Sequence, residues 1–374
     1  MLKFNNGKFK ILLFGDIHES GDFETSPKFR DMQKLMIKAL DGYQPDICVL
    51  LGDNCETPVL KNNPEHFKKM LSAVTEPITK RNIPAYCIMG NHEHDPGIDE
   101  EVLEAYQSID GVVMRNDHPQ DGKYCDYVDQ VYSSDGKTPL VNLWFIDSNN
   151  LCSDRSLSTY DYVHDCQIKW FEDKSDELKS PNCCALPSYI FQHIPVPEEY
   201  KLLRKAKLFE IPKCVRGFDS KRNKLYVLGD NAEGYLGEGP CSPDINNGQF
   251  ASWKKVGNVV AAFFGHDHLN DFSGWYDGVF MAQHKTAGFR AYTDGCQSCV
   301  RLVTIYEDRP THFKQELKHF KEFGLVSESL GPVFKRITDR QSLLIHLGLK
   351  ALGSAAGLAG AVAAVKYVKN TRNK

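Results

Sequence analysis

Short apolar runs recur along the chain, and each of them stops at a glycine, an acid, an amide or a histidine. The prominent runs are residues 9–16, 46–53, 85–92, 140–147, 188–193 and 259–266. Each is largely apolar over four to six residues and rich in β-branched or large side chains. Such runs predict strands that are covered on both faces. Helix-like stretches at 27–43 and 64–82 separate the first three runs, so the pattern predicts a layered α/β domain.

Polar side chains that could bind a metal follow the ends of these runs. They are Asp16, His18, Asp53, Asn91, His92, His193, His266 and His268. Open α/β sheets bind ligands beyond the carboxyl ends of their strands, so we expect these side chains to lie close together. Carboxylates, imidazoles and an amide oxygen without a thiolate favour divalent Mn, Fe or Zn. The set exceeds one coordination shell with open positions, which favours two ions that share the carboxylate of Asp53.

The order of these blocks is itself informative. Asp-x-His, Gly-Asp, Gly-Asn-His, His and Gly-His-x-His follow one another over residues 15–268. This order resembles the calcineurin-like metallophosphoesterase superfamily. The words HIPVPE (193–198), GHDHLND (265–271), QIKWFE (167–172) and HKTAGFRAY (284–292) resemble its purple-acid-phosphatase-like branch. The resemblance implies a four-layer α/β fold, in which two mixed β-sheets pack face to face and are flanked by helices.

The resemblance also implies a role for each motif residue. One ion would be held by Asp16, His18, Asp53 and His268, and the other by Asp53, Asn91, His193 and His266. His92 would be a histidine that binds no metal and either donates a proton to the leaving alcohol or steadies the transferring phosphoryl group. Asp267 would face away from the ions and orient a neighbouring side chain.

One position departs from the purple acid phosphatases. Those enzymes owe their colour to a tyrosinate on ferric iron, three residues after the bridging aspartate. Here that position is Glu56, and His18 stands where those enzymes usually have no histidine ligand. We therefore expect a colourless protein. Glu56 either accepts a hydrogen bond from His92 and raises its pKa, or it is a solvated loop glutamate.

The reaction implied by the resemblance is the hydrolysis of a phosphate ester, with in-line attack by a hydroxide that the ions generate. Three functions stay open. A phosphomonoesterase acting on phosphoproteins or small phosphate esters is favoured by the HIPVPE and GHDHLND words. A phosphodiesterase, for example one acting on cyclic nucleotides, shares all five blocks. A non-catalytic scaffold is disfavoured because no ligand position is lost.

Several residues near the motif blocks are not expected to bind a metal. Asp230 repeats the form of the Gly-Asp block but is expected in a loop turn. His94 and Asp95 are expected in a turn or at the substrate rim rather than as ligands. His164 stands where a helix begins, and a role facing the substrate is its alternative. Cys55 is expected to be a buried spectator.

Composition and charge indicate the class of protein and the kind of partner that it is expected to bind. The chain has 374 residues, of which 41% are hydrophobic and 25% charged, as in a soluble globular protein. The net charge is −4, but residues 311–374 carry eleven Lys/Arg and four Asp/Glu, so the body is acidic. An acidic body gives no support to nucleic-acid binding. Twelve cysteines, some inside strand-like runs, and no secretory signal favour a reduced, cytosol-facing protein that is not secreted.

Three segments are predicted along the chain. A phosphoesterase domain covers 1–310, a charged helical extension covers 311–340, and an apolar tail with a basic end covers 341–374. Residues 343–365 would form a helix about 35 Å long, enough to cross a bilayer core of roughly 30 Å. Lys350 opposes insertion, because a mid-helix lysine costs about 2.5–3.5 kcal/mol. The tail is therefore either an anchor in an intracellular membrane, which we expect, or a helix docked on the domain.

Overall fold

The computed structural model describes residues 1–56, 63–95, 97–118, 125–180, 185–293 and 297–329, together with residues 353, 354 and 357. The apolar segment predicted at 343–365 therefore lies outside the described residues, except for those three positions. Within the described ranges, no helix combines the length and the apolar character that crossing a bilayer requires. The anchoring role of the tail stays a prediction.

The described chain alternates strands and helices in its first third and is rich in strands thereafter. The strands are β1 (Leu2–Lys3), β2 (Lys8–Phe14), β3 (Ile47–Leu50), β4 (Ala85–Cys87), β5 (Val112–Val113), β6 (Tyr127–Tyr132), β7 (Pro139–Ile146), β8 (Ser188–Gln192), β9 (Leu203–Lys205), β10 (Val215–Arg216), β11 (Leu225–Leu228), β12 (Ala232–Glu233), β13 (Val259–Phe264), β14 (Ser273–Tyr276), β15 (Val279–Gln283), β16 (Cys299–Tyr306) and β17 (Arg309–His319). The α-helices are α1 (Pro27–Tyr43), α2 (Pro64–Thr79), α3 (Asn91–His94), α4 (Asp99–Gln107), α5 (Asp165–Glu177) and α6 (Gln249–Val256). Short 3₁₀ turns lie at Pro197–Leu202, Leu208–Lys213, Asp219–Lys221 and Phe320–Phe323.

Helix α1 shows how local sequence sets an element, and it confirms the helix predicted there. The hydroxyl oxygen of Ser26 accepts a hydrogen bond from Lys28 N at 3.2 Å, which satisfies a free amide of the first turn. Pro27 occupies the first helical turn, where its missing N–H costs nothing. Apolar residues such as Leu35 are buried along one side of the helix.

The described strands form two large sheets and a small one. Eight strands lie in the order β1-β6-β7-β8-β13-β15-β14-β12, and six lie in the order β17-β16-β2-β3-β4-β5. Strands β2 to β5 are parallel, as are β7, β8, β13 and β15, while β16 and β17 are antiparallel to their neighbours. Both large sheets are therefore mixed. The third sheet has the order β10-β11-β9.

Stacked aromatic rings join the inner faces of the two large sheets. The ring centroid of Phe145 on β7 lies 4.9 Å from that of Tyr86 on β4 and 5.3 Å from that of Phe191 on β8. Phe263 on β13 continues the row at 5.6 Å from Phe191. All four rings are buried. The sheets thus pack face to face over an aromatic core.

Helices cover the outer faces of both sheets. Trp144 on β7 alternates with Phe145, and its ring lies 4.6 Å from Phe171 on α5. Trp253 of α6 belongs to the same buried cluster. Helices α1 and α2 contribute buried side chains such as Met36 to the core of the six-stranded sheet. The arrangement confirms the predicted fold of two mixed sheets face to face, flanked by helices.

The helical prediction for 311–340 is wrong over residues 311–319, which belong to strand β17. The burial of this stretch alternates, with Phe313 and Leu317 half-buried and Lys314 and Glu316 exposed. A period of two is the pattern of a half-buried strand rather than a helix. The boundary predicted at residue 310 thus falls inside β17, which pairs with β16. Residues 330–340 lie outside the described ranges.

Candidate metal centre

The predicted site residues follow strand ends in both large sheets. In the six-stranded sheet, Asp16 follows β2, Asp53 follows β3 and Asn91 follows β4. In the eight-stranded sheet, His193 follows β8 and His266 follows β13. These strands are parallel within each sheet, so their carboxyl ends lie at a common edge. All five side chains are buried where the two edges meet.

Several of the predicted site residues have a left-handed backbone conformation. The φ angles are 52° at Asp16, 49° at His18, 49° at Asp53 and 75° at His266. For residues with a side chain this conformation costs about 1–2 kcal/mol each, and it persists only where the surroundings hold it. One such restraint is the hydrogen bond that His18 N donates to Asp53 O at 2.8 Å. Backbone strain is thus concentrated at the predicted ligands.

A first group of possible ligand atoms comprises Asp16, His18 and His268, whose ligand atoms all lie within 4.8 Å of one another. The Nε2 atoms of His18 and His268 are 3.0 Å apart. Nε2 of His268 lies 3.6 Å from Asp16 Oδ1, and Nε2 of His18 lies 3.6 Å from Asp53 Oδ2. Three of the four ligands predicted for the first ion therefore form one group, and the fourth, Asp53, lies beside His18.

A second group comprises Asp53, His193 and His266, again within 4.8 Å of one another. His193 Nε2 lies 3.2 Å from Asp53 Oδ2 and 3.2 Å from Asn91 Oδ1. The rings of His193 and His266 are 5.0 Å apart. The structure thus brings together all seven predicted ligands, and the side chain of Asp53 lies between the two groups.

Backbone carbonyls orient two of the histidines. His193 Nδ1 lies 2.7 Å from Leu51 O, and His268 Nδ1 lies 3.1 Å from Tyr292 O. A carbonyl oxygen only accepts, so each Nδ1 carries the proton when the ring is neutral. Nε2 then presents its lone pair to the neighbouring carboxylates, the arrangement that metal-binding histidines use.

The ionisation of the site favours cation binding. Burial lowers the pKa of His18 and His266 well below the ordinary histidine value, and that of His268 to about 4. These three rings are therefore neutral at physiological pH. Burial also acts to lower the pKa of His193, but the carboxylates of Asp53 and Asp16 and the carbonyl of Leu51 together outweigh it and raise that pKa to about 9. A proton on His193 and a metal ion compete for the same place beside Asp53.

His92 stands at the mouth of the site rather than inside it. Its backbone N donates to Asp53 Oδ1 at 2.8 Å, and its side chain is 38% exposed. Its Nδ1 lies 2.8 Å from Asp95 Oδ2, and its Nε2 lies 4.0 Å from Asp53 Oδ2. Asp95, expected only in a turn or at the substrate rim, therefore holds the ring of His92 from behind. The predicted hydrogen bond between Glu56 and His92 stays a prediction.

These residues border a cavity of 480 Å³. Its lining consists of His18, Asp53, Glu56, Asn91, His92, Tyr160, His266, His268, Ala291 and Tyr292. The two tyrosines pack on the two histidines of the Gly-His-x-His block. Tyr160 meets His266 edge to face at 4.3 Å, and Tyr292 stacks on His268 at 4.2 Å. No motif assigned a role to either tyrosine: Tyr160 contacts His266 from a distant segment, and Tyr292 is the last residue of HKTAGFRAY.

Glu93 is a buried residue whose role the motif analysis missed. Its Oε2 accepts hydrogen bonds from Gly90 N and Asp53 N, both at 2.9 Å. Its Oε1 accepts from Asn54 N at 2.8 Å and from Tyr106 Oη at 3.0 Å. One carboxylate thus joins the turn after β3 to the turn after β4. A glutamate three residues after a helix N-cap is the spacing of a capping box, a signal that was available in the sequence.

Asp267 accepts hydrogen bonds from a loop beside the site, and its predicted role of orienting a neighbour stays a prediction. Its Oδ1 accepts from Cys241 N at 3.0 Å, and its Oδ2 accepts from Asn270 Nδ2 at 2.9 Å. Asn270 Oδ1 in turn accepts from Glu238 N at 3.0 Å. The Oη of Tyr292 donates to Glu238 Oε2 at 2.9 Å. Asp267 therefore orders a loop that holds the tyrosine stacked on His268.

Four other residues that lie near the motif blocks in the sequence do not line the cavity: Cys55, His94, His164 and Asp230. His94 bridges Asp99 and Asp147, with 2.9 Å on each side, and these carboxylates raise its pKa well above the ordinary value although burial opposes them. His164 occupies the N-cap position of helix α5, and its Nε2 lies 3.1 Å from Asp161 Oδ2. Cys55 is buried, and its thiol donates to Glu93 at 3.7 Å. Asp230 is exposed in a turn, as predicted.

Comparison with known proteins agrees with this geometry. A family profile described as calcineurin-like phosphoesterase matches residues 9–270. Two Arabidopsis thaliana proteins, named probable inactive purple acid phosphatases 29 and 14, are each 26% identical to the chain. The first match covers 81% of the chain and 78% of the relative, and the second covers 93% and 85%. The crystal structure of a dimetal phosphatase from Danio rerio shares the fold, with a TM-score of 0.50, 13% identity, and coverage of 83% of this chain and 99% of that one.

Close backbone packing behind Asp53 generates a prediction. A Cβ on Gly90 would lie 2.2 Å from Asp53 Oδ1, although the φ of −100° at Gly90 suits alanine. Gly90→Ala should therefore displace the Asp53 carboxylate, lower the free energy of unfolding by about 1–3 kcal/mol, and reduce bound metal. Urea denaturation and elemental analysis measure both effects. Gly42→Ala is the control, since its Cβ meets nothing within 4 Å. Equal stability and equal metal content in the two variants would contradict the prediction.

Proposed function

Since the chain belongs to the calcineurin-like phosphoesterase family, we propose that it hydrolyses phosphate monoesters at a pair of divalent metal ions. The observation that carries the proposal is the position of Asp53 between two groups of ligand atoms. Its Oδ2 lies 3.6 Å from His18 Nε2 on one side and 3.2 Å from His193 Nε2 on the other. Within each group the ligand atoms lie within 4.8 Å of one another, which suits metal–ligand bonds of about 2.0–2.2 Å.

The donor set fits the proposed ions. The first ion would be held by Asp16, His18, Asp53 and His268, and the second by Asp53, Asn91, His193 and His266. Nitrogen and oxygen donors without a thiolate suit Mn, Fe or Zn. Among the described residues, Nε2 of His266 is a buried polar atom without a hydrogen-bond partner, which a metal bond would satisfy. When bound, such ions lower the pKa of water toward 7 and neutralise charge on phosphoryl oxygens.

His92 is the residue that we propose as the proton donor. Asp95 holds its Nδ1 at 2.8 Å, which fixes the ring and leaves Nε2 on the side of Asp53. The ring lines the cavity and is partly exposed, so a leaving alcohol can reach it. A positioned histidine of this kind protonates the departing oxygen as its bond to phosphorus breaks.

Charge balance supports monoesters over diesters. The ligand carboxylates of Asp16 and Asp53 contribute two negative charges, so the ligand set with two divalent ions would carry a net charge of about +2; Glu56 also lines the cavity but is not among the proposed ligands. A phosphate monoester carries nearly two negative charges near neutral pH, because its second pKa is about 6. A diester carries only one. No lysine or arginine of the described residues lines the cavity, so this balance rests on the ions.

A non-catalytic scaffold is the second candidate function. The observation that favours it is the word "inactive" in the names of the two Arabidopsis relatives. In this chain, however, all seven proposed ligands and His92 are present and lie together around one cavity. Burying two carboxylates beside each other is unfavourable without a cation, which supports metal binding, and His92 at the cavity is a proton donor that a scaffold would not need. We therefore favour catalysis.

Two model substrates distinguish these possibilities. With Mn, Fe or Zn supplied, the protein should hydrolyse p-nitrophenyl phosphate with a kcat/KM at least about tenfold above that for bis-p-nitrophenyl phosphate. The reverse ratio would assign the site to phosphodiesters. Failure to hydrolyse either ester, in a preparation shown to contain bound metal, would support the scaffold.

Replacing His92 tests the division between ligands and proton donor. His92→Ala should lower kcat by roughly 10²–10⁴ and leave the metal content unchanged, because a general acid acts on the substrate and not on the ions. His312→Ala, which removes an exposed imidazole on β17, is the control and should change neither quantity. Loss of metal from His92→Ala would show that His92 is a ligand.

A further inference from the structure

A strongly basic segment lies between His193 and helix α6. Residues 201–224 contain nine Lys/Arg and two Asp/Glu, in a chain whose net charge is −4. The rest of the body is correspondingly acidic. Such a concentration of one sign on one short segment forms a local attractive field for an anionic surface.

The structure gathers this segment at one end of the small sheet β10-β11-β9. Ala206 N donates to Leu225 O at 2.9 Å just after β9 ends, and Gly217 N donates to Lys224 O at 3.0 Å just after β10 ends. The connection 206–214 and the turn 217–224 therefore both leave the sheet at the end where β11 begins. We call this connection and this turn together, residues 205–224, the projection; Lys213 lies where the connection returns to the start of β10.

The tip of this projection is apolar. Leu208 is 87% exposed and Phe209 is 78% exposed, and both lie in the 3₁₀ turn that starts at Leu208. Contiguous apolar patches that are exposed on a protein surface mark sites of contact with a protein or a membrane. Lys207 lies beside them, with its Nζ 6.0 Å from the centre of the Phe209 ring.

The acidic residues of the segment do not neutralise the lysines at the tip. The carboxylate of Glu210 is paired with both terminal nitrogens of Arg204, at 2.7 and 2.8 Å. Asp219 accepts a hydrogen bond from Thr159 N at 2.7 Å. The remaining exposed cations of the projection are Lys205, Lys207, Lys213, Arg222 and Lys224.

We propose that this projection, residues 205–224, binds the surface of a bilayer that contains anionic lipids. Leu208 and Phe209 would enter the boundary between headgroups and acyl chains, while the surrounding lysines contact lipid phosphates. A protein partner fits less well, because two side chains at a narrow tip bury far less area than a stable protein interface needs. The proposal does not depend on the phosphatase activity.

The projection also lies next to the candidate metal centre. Phe218, in the turn 217–224, stacks on Tyr160 at 5.6 Å, and Tyr160 packs on His266. Contact of the tip with a bilayer would therefore hold the mouth of the cavity close to the membrane surface.

Hydrogen exchange of the full chain tests the proposal at the residues concerned. Amide exchange in residues 206–213 should slow several-fold with vesicles of phosphatidylcholine containing 30% phosphatidylserine, and not with phosphatidylcholine alone. The C-terminal tail cannot produce this result, because protection at the tip requires contact there, whichever vesicles the tail binds. Unchanged exchange with the anionic vesicles would overturn the proposal. Protection by poly-glutamate but not by vesicles would overturn it too, and would assign the projection to an acidic protein.

Matched variants separate the apolar and the electrostatic contributions. Leu208→Ser/Phe209→Ser should abolish the protection, whereas Val326→Ser, at a site 81% exposed elsewhere, should not. Lys205→Gln/Lys207→Gln/Lys213→Gln should weaken vesicle binding at the tip by about five-fold per charge, and Lys137→Gln/Lys169→Gln should leave it unchanged. Full protection in both tip variants would refute the assignment. An unchanged circular dichroism spectrum and an unchanged midpoint of urea unfolding confirm that each variant is folded.

Discussion

The carboxylates of Asp16 and Asp53 are buried at the ends of adjacent parallel strands, within reach of the same histidines. Two negative charges in one dry site repel each other, and burial raises the pKa of Asp16 well above its ordinary value. Hydrogen bonds alone compensate such a pair poorly, whereas divalent cations compensate it well. The need to place cations between these carboxylates explains why imidazole nitrogens converge on them.

The fold supplies this arrangement through two sheets rather than one. Strands of the six-stranded sheet carry both carboxylates and Asn91, and strands of the eight-stranded sheet carry His193 and the Gly-His-x-His block. The aromatic core between the sheets fixes the distance between the two edges. Glu93 then fixes the turns of one sheet by accepting hydrogen bonds from their backbone amides. The geometry of the site therefore depends on packing well behind it.

The sequence was sufficient for features that leave a local pattern. Apolar runs ending in polar residues predicted the central strands, and the order of the motif blocks predicted which side chains would meet. Features set by distant contacts were not predictable in this way. Tyr160 packs on His266 from a loop far earlier in the chain, whereas the contact of His92 with Asp95 is local and was missed because its three-residue spacing belongs to no motif. Residues 311–319 of strand β17 were predicted as a helix because their many charged side chains obscure the alternation of half-buried and exposed positions. That alternation is clear in the folded chain, where β17 pairs with β16.

The central claim is that one carboxylate, that of Asp53, serves two metal ions. Elemental analysis of the purified protein and of Asp53→Asn, prepared with Mn, Fe and Zn available, tests it most directly. The account predicts about two ions per chain in the natural protein and fewer than one in the variant, because removal of the shared charge weakens both positions together. An Asp53→Asn protein that retained two ions and normal turnover would contradict it.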